Sequence, residues 1–150
     1  MRLMLEEDLA WCKTLPDVQH QTQSTLREDD FLIHYVAGPI SCDGEENIPH
    51  NIDKLFKART DVMHALGNRS LVFTAPFIFS LDSNHNSYNR LGLFDIDRDE
   101  REAAMQDFWD QLLTSGLIDG VHFVDGWQRS PGARREHLTA TENDIPAFYL

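Results

Sequence analysis

"IDGVHFVDGWQRSPGARREHLTATE", residues 118–142, reads as a strand, a tight turn and a helix in immediate succession. Val121, Phe123 and Val124 give the first part the apolar, β-branched character of a buried strand. The strand is read over 118–127, ending at about Val124, and Ser130 followed by Pro131 is a strong helix start. A serine side chain accepts a free N–H of the first turn, and proline is favoured at the first helical position. The helix is expected to run from about Ser130 to Glu142.

Working outward, the same alternation appears twice more upstream. "FLIHYVAGPIS" at 31–41 is a buried-type strand broken by Gly38-Pro39, and "NIDKLFKARTDVMHALG" at 51–67 has apolar residues near helical spacing with Gly67 as its stop. "SLVFTAPF" at 70–77 is a second strand. "DRDEREAAMQDFWDQLLTSG" at 97–116 is a helix with an acidic first turn and a stripe of Met105, Phe108, Trp109, Leu112 and Leu113. Residues 1–15 suggest a short amphipathic helix ended by Pro16, 17–30 a linker or exposed turns, and 78–96 a long loop. This order of strands and helices predicts an α/β sandwich with a mostly parallel sheet, with residues 1–30 as an extension to a 31–150 domain.

Bulk properties narrow the function classes. One domain with one real core is expected from 150 residues, and 41% hydrophobic with 25% charged is a globular composition. No apolar run approaches the roughly 20 residues of a membrane span, and Glu6, Glu7 and Asp8 interrupt any signal-peptide core. A cytoplasmic location is therefore expected. A net charge of -12 argues against a nucleic-acid polymer as partner, though not against a single nucleotide. Cys12 and Cys42 suggest neither a disulfide framework nor a metal cluster, and the seven histidines lack metal-ligand spacing. Neither a metal nor a cofactor is expected. There is no Walker-type loop and no Gly-x-Ser-x-Gly.

The candidate site residues each have two readings. Ser130, Pro131 and Gly132 are either a plain helix cap or an anion site at a helix N-terminus, following a strand end where α/β proteins place ligands. Glu136, nearly two turns into that helix, is either solvated or an ionised carboxylate fit for attack on a sugar carbon. Asp107 and Asp110 share one face of their helix. They are either solvated or one half of the carboxylate pair that glycosidic cleavage needs.

"YVAGPIS" at 35–41, Asn51, Pro76, Asp110 and "DGVHFVDGWQRSPGARREHLTA" at 119–140 together resemble the nucleoside 2-deoxyribosyltransferase-like superfamily, especially its small phage and bacterial members. The likeness covers about residues 32–141. It implies a Rossmann-like, flavodoxin-related three-layer sandwich, assembled as a homodimer or higher oligomer, that cleaves an N-glycosidic bond. It implies Glu136 as nucleophile and Tyr35 as the residue that orients it. It places Gly38, Ile40 and Ser41 in the loop lining the sugar and phosphate site. Asp110 best matches the sugar-binding and acid aspartate, with Asp107 as alternative. The nine-residue interval from Asp110 to Asp119 is one longer than the family pattern.

Members acting on free nucleosides usually carry aspartate six residues before the nucleophile, whereas members that hydrolyse nucleoside 5'-monophosphates carry serine, which stands here at 130. With the Gly132 N–H, a serine hydroxyl accepts a phosphate that an aspartate would repel. The expected substrate is thus a (deoxy)nucleoside 5'-monophosphate. Trp127, Phe79 and Tyr88 are candidates for stacking on the base, with a core position the equal alternative for Trp127. A deoxyribosyltransferase and a non-catalytic nucleotide-binding module are the alternatives.

Overall fold

A computed structural model describes residues 15–27, 31–75 and 95–150. The loop expected at 78–96, with Pro76, Phe79 and Tyr88, lies almost wholly outside these residues, as does most of the helix expected at 1–15. The chain divides into two compact units. One comprises residues 1–30 and 75–117, the other 31–74 and 118–150.

In the first unit, α1 (Leu15–Arg27) packs against α3 (Arg98–Leu113). α1 overturns the expected linker over 17–27. Pro16 sits in its first turn, where the missing N–H is harmless. Val18 and Leu26, eight residues apart, are both buried. Asp97 caps α3 by accepting the Glu100 N–H at 3.0 Å. Phe108, Trp109, Leu112 and Leu113 are its buried residues.

The second unit holds β1 (Leu32–Ala37), α2 (Ile48–Leu66), β2 (Ser70–Thr74), β3 (Gly120–Phe123), α4 (Pro131–Glu142) and β4 (Ala147–Tyr149). The strands form one all-parallel sheet in the order β2-β1-β3-β4. β4 was not expected from the sequence.

Side chains alternate between sheet faces, and the two helices use opposite ones. Val36 and Val72 cluster with Leu55 and Val62 of α2. Tyr35 and Phe123 instead meet α4, at Glu136 and His137. α2, sheet and α4 therefore form three layers, a Rossmann-like α/β fold. The connection from β1 leads through α2 to the β2 side, and that from β3 leads through α4 to the β4 side. The point between β1 and β3 is thus a topological switch point, where ligands bind outside the carboxyl ends of the strands.

Two polar side chains, Arg59 buried and Asp119 exposed, fix this sheet internally. Arg59 of α2 donates from Nε to the Val72 carbonyl at 2.6 Å. Asp119 accepts the Ile33 N–H at 2.8 Å, while its own N–H reaches the Ile33 carbonyl at 2.7 Å. Asp119 thereby pins the start of β1 against β3. No helix among the described residues is long and apolar enough to cross a membrane.

Candidate active site

Ala133, Glu136 and Ala140 are the buried residues of α4, spaced i, i+3, i+7. This stripe faces the sheet, and its alanines allow the helix to approach closely. Glu136 is only 6% exposed, so the solvated reading does not hold. Tyr35, on the facing side of β1, donates from Oη to Glu136 Oε1 at 3.1 Å. Burial, reinforced by the charge and the hydrogen bond of Glu136, pushes the Tyr35 phenol well above its usual range. It therefore stays a protonated donor to the carboxylate.

Ser130 is the N-cap of α4. Its Oγ accepts the Ala133 N–H at 3.2 Å, leaving the hydroxyl proton for another acceptor. Gly132 follows in the first turn, where a Cβ would come no closer than 3.9 Å to Ser130 Oγ. The first-turn amides and the hydroxyl together form an opening suited to an anion.

The loop after β1 lies at the same end of the sheet. Gly38 is held so tightly that a Cβ would meet Leu55 and Val124, each at 3.1 Å. Ile40 packs on the α2-side core, and its carbonyl accepts from buried Asn51 Nδ2 at 3.0 Å. Ser41 is exposed, and its carbonyl takes the Gly44 N–H at 3.3 Å. Asn51 thus anchors the loop.

The surroundings of the remaining expected residues differ from one to the next. Trp127 lies in an aromatic cluster, stacked on His137 at 4.4 Å and 5.0 Å from Phe123. Its ring thus already has protein neighbours. Asp110 belongs to the first unit, half-buried on α3, with Gln106 Nε2 donating to it at 3.3 Å. Asp107 on the same helix is exposed. No group of three or more metal-ligating side chains occurs among the described residues.

Two arrangements have no warning in the sequence. Arg129 forms a two-point ion pair with Asp43, Nε to Oδ1 at 3.1 Å and Nη2 to Oδ2 at 3.3 Å. Arg129 holds the Asp43 carboxyl below its usual range, and Asp43 raises the guanidinium in turn. On the α2-facing side of the sheet, His34 Nδ1 and His122 Nε2 are 2.8 Å apart, with Phe148 stacked on His122.

Comparison with known proteins was negative throughout. The chain matches no family model, no curated protein and no solved structure.

Proposed function

We propose that the protein hydrolyses the base–sugar bond of a (deoxy)nucleoside 5'-monophosphate, with Glu136 as nucleophile. The observation that carries this reading is the buried Glu136 carboxylate, oriented by Tyr35 and borne on the helix whose N-terminus is opened by Ser130 and Gly132. Glu136 lies six positions after Ser130, about 9 Å of helical rise. A sugar phosphate with its contacts at both ends fills that span.

The phosphate sits on the Ser130 hydroxyl and the first-turn amides, with the Gly38–Ser41 loop as the other wall. Glu136 attacks C1', the C1'–N bond breaks, and its electron pair leaves with the base, which takes up a proton. Water then hydrolyses the glycosyl ester and frees Glu136. The site uses no metal or cofactor in this scheme, and the active form is a homodimer or higher oligomer.

The test is incubation with a panel of ribo- and deoxynucleoside monophosphates while free base is measured. Base release that disappears in Glu136→Gln supports the reading, and undiminished release in that variant sinks it. Base exchange between a deoxynucleoside and an added free base, without net hydrolysis, would indicate a deoxyribosyltransferase. Binding without any product would indicate a nucleotide-binding module.

A further inference from the structure

The switch point between β1 and β3 sends its two loops to opposite faces of the sheet. Asp43 and Arg129 reach across the gap, 86 positions apart in sequence. Both ends of this pair are anchored. Asn47 Nδ2 donates to the Asp43 carbonyl at 2.8 Å, and Asn51 Nδ2 contacts Asp43 Oδ2 at 3.3 Å while also holding the Ile40 carbonyl. Arg129 closes the short 3-10 turn Trp127–Arg129, and its guanidinium folds back over Gly126. Gly126 adopts φ 89°, and a Cβ there would lie 2.6 Å from Arg129 Nη1. Glycine is needed at 126 for its left-handed backbone.

The contrast with two other exposed ion pairs is informative. Lys57–Asp61 and Arg98–Glu102 each join residues four apart on one helix and tie nothing together. Asp43–Arg129 is also solvent-facing, with the arginine side chain 58% exposed, so it adds little to global stability. Its effect is positional: it fixes one loop relative to another. Lys54 Nζ reaches the Asp125 carbonyl at 3.5 Å, a weaker tie between α2 and the same turn.

We propose that Asp43 and Arg129 are positioning residues, a strap that holds the Gly38–Ser41 loop in register with the Ser130 turn so that both walls of the phosphate subsite are set before substrate arrives. This inference rests on the hydrolase reading for its catalytic consequence, but not for its structural one.

The experiment compares Arg129→Gln, Asp43→Asn and the charge-swapped double variant Asp43→Arg/Arg129→Asp with the parent chain. Two readouts are taken: hydrogen exchange of the 38–44 amides, and KM and kcat for a nucleoside monophosphate. Each single variant should speed exchange in 38–44 and raise KM roughly tenfold, with kcat within about threefold. The double variant should restore both. Unchanged exchange in the single variants overturns the strap. So does a KM defect in Arg129→Gln that the charge swap does not rescue, because Arg129 then contacts the phosphate directly. If the parent chain turns over no monophosphate, the hydrolase reading fails, and the exchange measurement alone still decides for or against the strap.

Discussion

Tyr35 and Glu136 meet at 3.1 Å across the interface between sheet and helix, a phenol donating to a buried carboxylate 101 residues away. A carboxylate there is poorly solvated, which is unfavourable for the fold and useful for chemistry. Glu136→Gln keeps an oxygen for Tyr35 while removing the charge. Turnover should fall by on the order of 10³-fold or more, while the melting temperature stays equal or rises. Tyr35→Phe should do the opposite to stability, at a cost of about 1–3 kcal/mol for the lost bond to a buried charged acceptor. Denaturant titration beside a base-release assay checks both.

Ser130 separates folding from ligand choice. Ser130→Ala removes the cap and should destabilise by about 1 kcal/mol, besides weakening monophosphate binding. Ser130→Asp keeps a good cap but presents a negative charge to the phosphate. It should shift preference from monophosphates toward free nucleosides, read as the ratio of kcat/KM for a matched pair. An unchanged ratio would remove Ser130 from phosphate recognition.

The His34–His122 pair makes stability pH-dependent. Burial is the main reason that both rings titrate low, with His122 pushed down to about 4; nearby Asp119 partly offsets the effect at His34. Both rings are neutral when folded, whereas unfolded histidine titrates near the ordinary 6.5. The unfolded chain therefore binds more protons between these values. Stability is full above about pH 6.5 and is lost as pH falls toward 4. His122→Phe should flatten that slope in denaturant titrations at several pH values. Gly120→Ala should strain the same pair, since its Cβ would lie 2.7 Å from His34 Cε1. Overpacking of this kind costs about 1–3 kcal/mol.

Asp110 and Asp107 differ in surroundings although they share a helix: the first is half-buried with Gln106 beside it, the second exposed. If Asp110 is the acid that the family resemblance implies, Asp110→Asn lowers kcat by roughly 10²-fold or more, and Asp107→Asn changes it by no more than about twofold. The reverse order would reassign the acid.

The sequence made β1, α2, β2, α3, β3 and α4 legible because each carries its own period or cap. α1 escaped because "DVQHQTQSTLR" is polar almost throughout, with buried Val18 and Leu26 too sparse to mark a helix. β4 escaped because three residues show no alternation. The inward face of α4 was available in Ala133-x-x-Glu136-x-x-x-Ala140, a small-residue stripe broken by one acid. Arg129 with Asp43, and His34 with His122, could not be read locally. Their partners stand 86 and 88 positions apart and are brought together only by the parallel pairing of the strands.

The cap at the start of α4 has an evolutionary consequence. Serine and aspartate terminate a helix almost equally well, so exchange at 130 is close to neutral for folding. On the proposed reading it is far from neutral for the ligand. A lineage could therefore drift between phosphorylated and unphosphorylated substrates through one position, with no compensating change in the core. Glu136 has no such freedom, since its setting in the sheet interface ties any replacement to both stability and chemistry.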